Sequence, residues 1–195
     1  MKVVAISGSP RKGGNTYILL RRVLDVVQAE GIGTELIELA GRTVQGCTAC
    51  LKCRELADGA CHGRHDAINE CIEAIAGADG IVIGSPVYFS DVTPETKALI
   101  DRVGYVGGAN PGMLRRKTAA AVVAQRRAGA SHALDTINHL FAMRQMVIPG
   151  STYWNLGVGG PLGAVEEDAE GLATMEALGR NIAWLVKLTA GSREL

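Results

Sequence analysis

The sequence predicts an α/β fold, a doubly wound five-stranded parallel sheet with helices on both faces. Short apolar runs alternate with segments of helical periodicity along the whole chain. The first run is apolar enough for a strand buried on both faces, and a glycine-rich turn follows it at once.

Residues 2–7 form that first strand, and residues 16–30 place Tyr17, Leu20, Leu24 and Val27 at helical spacing. Gly31 and Gly33 punctuate before a second strand at 34–39. A polar, Cys-bearing loop leads to a helix over 66–77, which carries Ile68, Ile72 and Ile75 and stops at Gly77. Residues 81–83 are the third strand. Thr93, Pro94 and Glu95 read as hydroxyl cap, first-position proline and first-turn acid of a helix running to about Val103. A Gly/Asn/Pro loop to residue 112 precedes a fourth strand at 118–124, a helix at 131–143, a fifth strand at 146–148 and a final helix at 165–189. In such a sheet ligands bind in the crevice at the carboxyl ends of the strands.

The 195 residues, 47% apolar with mean hydropathy +0.15, suit one domain spanning 1–195 with a Cys-rich loop at about 42–65. Lys+Arg and Asp+Glu balance at 20 each, so no global field steers the chain to nucleic acid or an anionic membrane. No apolar run approaches the roughly 20 residues that span a bilayer, and no signal-peptide pattern opens the chain; a soluble, cytoplasmic protein is expected.

The turn Ser7-Gly8-Ser9-Pro10-Arg11-Lys12-Gly13-Gly14-Asn15-Thr16 has the makings of a phosphate cradle, with backbone amides and a helix start converging on an anion. Asn15-Thr16 stands where a Walker loop needs Lys-Ser/Thr, and the dinucleotide G-x-G-x-x-G is absent. Ser9, Arg11, Asn15 and Thr16 match a dianionic monophosphate held without a metal, which suits FMN better than ATP. After strand three, Gly84-Ser85-Pro86-Val87-Tyr88-Phe89-Ser90 places an apolar ring pair and backbone amides at the same crevice. After strand four, Gln125-Arg126-Arg127-Ala128-Gly129-Ala130 supplies a small-residue loop. Three loops converging on one crevice make a candidate site.

These residues, together with Lys97-Ala98-Leu99-Ile100-Asp101-Arg102, resemble the NADPH-dependent FMN reductase group of flavodoxin-like proteins across nearly the whole chain. The resemblance implies that residues 7–16, with Lys12 and Gly13 among them, bind the FMN phosphate. By the same resemblance Pro86, Val87, Tyr88 and Phe89 lie against the isoalloxazine, and the loop at Ala128 and Gly129 meets the flavin from another side. Lys97, Asp101 and Arg102 belong to the pattern, but a surface ion pair on a helix accounts for them.

Four of the five cysteines, Cys47, Cys50, Cys53 and Cys61, lie in one short stretch, which in a chain without an export signal points to metal or redox chemistry. Their spacing resembles the compact motif of the iron-sulfur flavoproteins, which implies a [4Fe–4S] cluster on four thiolates beside FMN. Zinc is the structural rival, with His62 and His65 nearby, although zinc ligands usually come as two separated pairs. Free thiols are a third reading. Cys71 reads as a core residue, His132 and His139 as solvated, and Tyr153 and Trp154 as sheet-edge packing.

The expected function is FMN-dependent electron transfer, without a catalytic side chain, since the flavin carries the chemistry. Ferredoxin-like carriers or NAD(P)H are the expected donors, with a small-molecule acceptor. The alternatives are an NAD(P)H-dependent FMN or quinone reductase without a cluster and a non-catalytic redox-sensing or zinc-binding module. Resemblance implies a homodimer or homotetramer that brings cluster and flavin together across subunits.

Overall fold

A computed structural model describes residues 1–190. The elements are β1 (Lys2–Ser7), α1 (Asn15–Ala29), β2 (Gly33–Glu38), α2 (Lys52–Leu56), α3 (Ala67–Gly77), β3 (Gly80–Pro86), α4 (Pro94–Ala109), β4 (Thr118–Gln125), α5 (Ala130–Met143), β5 (Leu156–Val158) and α6 (Ala169–Thr189). All strand pairs are parallel and the sheet order is β2-β1-β3-β4-β5, the predicted doubly wound arrangement.

Alternation along β1 explains the two layers. Val4 and Ile6 face a core shared with Ile68, Ile72 and Ile75 of α3, Leu99 of α4 and Phe141 of α5. Val3 and Ala5 face the opposite core, against Leu20, Leu24 and Val27 of α1 and Leu178 and Ile182 of α6. Gly179 permits the close approach of α6 to α1, since a Cβ there would lie 2.8 Å from the Val23 carbonyl oxygen.

Two boundaries depart from the sequence reading. The expected fifth strand at 146–148 is reduced to a single parallel bridge between Val147 and Thr118. Pro149 follows, without an N–H to donate, and the chain leaves the sheet. It returns as β5, pairing with Val123, Ala124 and Gln125, so two short segments share the outer edge of β4. Helix α4 continues past Val103 to Ala109 despite Gly104, Gly107 and Gly108. A Cβ at Gly107 would overlap Leu114, and one at Gly108 would lie 2.6 Å from Arg144 Nη1, so the glycines admit neighbours rather than end the helix.

Lys117, at the foot of β4, is buried and its Nζ donates to the carbonyls of Ile75 (2.8 Å), Ala76 (2.5 Å) and Ala78 (2.7 Å) at the end of α3. A cation there matches the negative helix terminus. Lys117→Met should leave the Ala76 and Ala78 carbonyls without this donor, the Ile75 carbonyl keeping the Ala78 N–H, and lower stability by about 3 kcal/mol, a drop of roughly 10 °C in Tm by differential scanning calorimetry. An unchanged Tm would show that the carbonyls find other partners.

Candidate functional site

Helix α1 is the place to begin, because like α5 it starts after a glycine with no side-chain cap, and unlike α3, α4 and α6 it leaves its first amides without a capping oxygen. Asp66, Thr93 and Asp168 cap α3, α4 and α6 with side-chain oxygens. Helix α1 begins after Gly14 with no side-chain cap and no acid in its first turn, leaving its amides and positive dipole end for an anion. Around it, the Asn15 Oδ1 and Thr16 Oγ1 atoms are buried and make no hydrogen bond among the described residues. The turn itself is fixed: Ser9 Oγ accepts from the Arg11 N–H at 3.1 Å, and Gly13, at φ +60°, donates its N–H to Glu38 at 2.9 Å.

A cleft of about 180 Å³ opens at this point, at the carboxyl ends of β1, β3 and β4. It gathers seven of the expected residues: Ser9, Arg11, Asn15, Thr16, Pro86, Val87 and Tyr88. Ala128 and Gly129 line an adjoining cavity of about 480 Å³ with Tyr153 and Trp154. Gly129, at φ +97°, packs against Val87 and Ser90, where a Cβ would come within 2.9 Å of each residue, so the two loops brace one another. Lys12 is exposed and outside the cleft lining, as are Gly13 and Phe89.

Arg126, from the loop expected after strand four, lines the far wall, but sequence reasoning missed the rest of it, formed by Ala124, Gly159, Gly160 and Leu162. Asn15 Nδ2 draws it in by donating to the carbonyls of Gly159 and Pro161, each at 2.8 Å. Only the glycine-rich character of 157–163 hinted at it.

Tyr88 and Asp91 close a tight turn through reciprocal backbone bonds of 2.8 and 3.0 Å. Its two central residues, Phe89 (φ +47°) and Ser90 (φ +67°), both adopt left-handed backbone, which is costly for a bulky side chain. Phe89 is fully exposed, at 107%. Such backbone costs about 1–3 kcal/mol per residue and persists because the surrounding turn fixes it.

Beneath the cleft, Thr93 Oγ1 donates to the Gly8 carbonyl at 2.6 Å, lies 2.9 Å from Thr96 Oγ1 and caps the Thr96 N–H. Ser85 Oγ accepts from the Thr93 N–H at 3.1 Å. This buried network ties the β1 turn, the end of β3 and the start of α4 into one support.

The cysteines lie around a separate cavity. Cys47, Cys50, Cys53 and Cys61 all line it, with His62, Arg102 and Tyr105. Among the described residues no three Cys, His, Asp or Glu side chains are grouped to hold a metal ion. The loop is wound tightly, with Ala49, Leu51 and Ala57 in left-handed backbone, and contains the short helix α2, which the sequence reading left as loop. A Cβ on Gly63 would come 2.8 Å from Cys50 Sγ and 2.9 Å from Thr48 Oγ1. His62 Nε2 lies 2.9 Å from the Asp58 carboxylate, and His65 is exposed and outside the lining.

Arg102 corrects the surface reading given to it. Lys97 and Asp101 do form an exposed ion pair at 2.5 Å, but Arg102 is completely buried and pairs with Asp66 at 2.5 Å. Tyr153 and Trp154 likewise stay more than half exposed, at 61% and 63%, rather than packing away at the sheet edge.

The thiols differ in reactivity. Hydrogen bonding from the Lys52 backbone holds the exposed Cys50 thiol below its ordinary range, whereas burial pushes Cys71 up to about 12. In iron-free protein at pH 8, iodoacetamide should modify Cys50 early and leave Cys71 intact, as read by peptide mass spectrometry. Modification of Cys71 before Cys50 would overturn that order.

Fold and cleft together define a flavodoxin-like protein built to hold a mononucleotide. Residues 1–160 match the family model of NADPH-dependent FMN reductase. An iron-sulfur flavoprotein of Methanocaldococcus jannaschii is 38% identical, with 96% of this chain and 98% of that one covered. Iron-sulfur flavoproteins of Archaeoglobus fulgidus and Methanosarcina thermophila are 33% and 28% identical over the full length of both chains. The chain belongs to the iron-sulfur flavoproteins of the NADPH-dependent FMN reductase family, and is an oxidoreductase of flavodoxin-like fold. Solved structures agree on the fold. RosB bound to 8-demethyl-8-formylriboflavin-5'-phosphate superposes with TM-score 0.79 at 16% identity, covering 99% of this chain and 81% of that one. A flavodoxin from the domain Archaea superposes with TM-score 0.62 at 16% identity, covering 96% and 99%. Among the described residues no helix is long and apolar enough to cross a membrane.

Proposed function

We propose that the chain moves electrons between FMN in the β1–β3–β4 cleft and a [4Fe–4S] cluster held by Cys47, Cys50, Cys53 and Cys61. In this reading NAD(P)H or a ferredoxin-like carrier is the donor and a small molecule the acceptor. The observation that carries the proposal is the gathering of all four cysteines, from a loop with no core of its own, around one cavity. Thiolates spread around a cavity suit a multi-iron body better than a single zinc, whose four ligands must meet at about 2.3 Å from one point.

The cleft fits FMN on its own observations. Uncapped α1 amides, the unpartnered Thr16 hydroxyl and the Arg11 guanidinium form a donor set for a dianionic phosphate. Pro86, Val87 and Tyr88 form one wall and Arg126 and Gly160 another, so the walls orient a planar ligand. FMN, when bound, supplies two-electron exchange on one side and one-electron exchange on the other. The protein's residues anchor, orient and shield; no side chain need transfer a proton. Phe89, Tyr153, Trp154 and Leu162 leave apolar area exposed near the cleft, which supports burial against another copy in a homodimer or homotetramer.

An absorption spectrum of anaerobically purified protein, with iron, sulfide and zinc assays on the same sample, tests this. Flavin bands over a broad iron-sulfur shoulder, with iron at about four per chain, are the expected result. Flavin without iron overturns the cluster, and no flavin after reconstitution overturns the proposal as a whole.

A further inference from the structure

We propose that Arg102 of α4 is a positioning residue that closes the cysteine loop, holds Cys61 in place through an N–H···S bond and supplies the fixed positive charge beside it. The inference rests on the cluster assignment for its redox consequence only; the closure of the loop stands on geometry alone.

From residue 41 to residue 66 no residue is buried, so the loop cannot be ordered by a hydrophobic core of its own. Val44, Cys53 and Cys61 only partly pack against the main core, and five of the loop's polar anchors converge on one guanidinium. Arg102 Nη1 donates to the Gln45 carbonyl at 3.2 Å and to Asp66 Oδ1 at 2.5 Å. Nη2 donates to the Arg64 carbonyl at 3.3 Å and to Asn69 Oδ1 at 2.5 Å. Nε donates to Cys61 Sγ at 3.3 Å. The acceptors before and after the cysteines, Gln45 and Arg64 to Asn69, are thereby drawn to one point, with Asp66 adding a bond from the Gln45 N–H at 2.9 Å. Asn69 Nδ2 holds the Cys61 carbonyl at 2.8 Å.

A buried Arg–Asp pair is weak evidence of stability, because apolar replacements of such pairs often fold as well. What apolar residues cannot do is donate five N–H bonds in a planar fork. Lysine, a point charge, cannot close the loop in this way either. Adding one electron to the cluster, from a low-potential dye, adds one negative charge, and the Arg102 N–H bond to sulfur, with the part of its charge that Asp66 leaves uncompensated, favours that state.

The same helix reaches the other site. Thr93 at its N-terminus holds the Gly8 carbonyl, and nine residues later, roughly 13 Å along the axis, Arg102 holds Cys61. Helix α4 is therefore a rigid strut between flavin cleft and cysteine cavity.

The test uses Arg102→Met and Arg102→Lys, with Lys97→Gln on the exposed side of α4 as control. On full-length protein stripped of iron, alkylation of each cysteine is followed by mass spectrometry. Compared at a pH high enough to ionise the loop thiols, the Cys61 thiolate should react about tenfold faster in both Arg102 variants, because a thiolate freed from a charge-assisted N–H bond is the stronger nucleophile, while Cys47 reacts as in the parent. On cluster-loaded protein, dye-equilibrated titration followed by electron paramagnetic resonance should show a reduced fraction about tenfold lower at fixed potential in Arg102→Met, and less affected in Arg102→Lys. Parent-like Cys61 reactivity in a folded variant overturns the proposal. An equal rise at all four loop cysteines supports closure of the loop by Arg102 and overturns its specific hold on Cys61. If Arg102→Met does not fold, Arg102→Lys decides the alkylation arm. If the parent binds no iron, the cluster reading fails, and the alkylation arm still decides whether Arg102 holds the loop.

Discussion

Replacing Cys50 by alanine is expected to take iron from about four per chain to near zero while leaving the FMN content unchanged. The separation follows from architecture. Cys50 is exposed, sits in a segment without buried residues and lines the cysteine cavity. The flavin cleft is built by other segments: the β1 turn, the end of β3, the end of β4 and residues 159–162. On the proposed ligand set, removing one of four thiolates would leave one iron without its protein ligand, and no other cysteine would be free to replace it, since Cys71 is buried in the α3 core. The fold should not notice: an exposed substitution changes stability by no more than about 0.5 kcal/mol, so the iron-free parent and variant should melt within roughly 2 °C of one another. Iron, sulfide and flavin assays on one preparation read the result. A variant that keeps its iron overturns the ligand assignment, and one that loses flavin as well shows that the two sites are not separable in the way the structure implies.

What the sequence made legible was local. The β1 run and the turn after it, the Thr93-Pro94-Glu95 start of α4 and the Asp66 boundary of α3 are each written in a few contiguous residues, and the structure bears out each element. What it hid depended on distant partners. Residues 146–148 and 156–158 are both short and apolar, and the choice between them is made by the register of β4 and by Pro149. The end of α4 was misplaced because its glycines look like a stop, while Leu114 and Arg144 fill the space beside them. The far wall of the cleft reaches the site through Asn15, about 145 positions away in sequence. Arg102 looked like one end of a surface pair with its neighbours, yet the helix turns by about 100° per residue, so Asp101 can face solvent while Arg102 faces Cys61.

The largest effect on the flavin site should come from the smallest change, Gly8→Ala. A methyl group on Gly8 would overlap Thr96 Oγ1 and lie 3.3 Å from the Gly84 carbonyl oxygen. It cannot be absorbed by flexible side chains, because Gly8 is held from both sides, its N–H donating to Gly84 at 2.8 Å and its carbonyl accepting from Thr93 at 2.6 Å. Either the β1 turn moves or α4 does, and both carry the flavin site. Overpacking of this kind costs about 3 kcal/mol, which, if expressed in binding, weakens FMN by roughly a hundredfold. The cause can be isolated. Thr96→Ala removes the hydroxyl that a methyl on Gly8 would meet, and although it loses the Thr93–Thr96 contact, the double variant Gly8→Ala/Thr96→Ala should recover most of the lost affinity. Titration of FMN into flavin-free protein, followed by fluorescence quenching, gives the four affinities of the cycle. A large coupling in favour of the double variant locates the constraint at this contact. Additive losses would mean that Gly8 is required for its own backbone rather than for the space that Thr96 occupies.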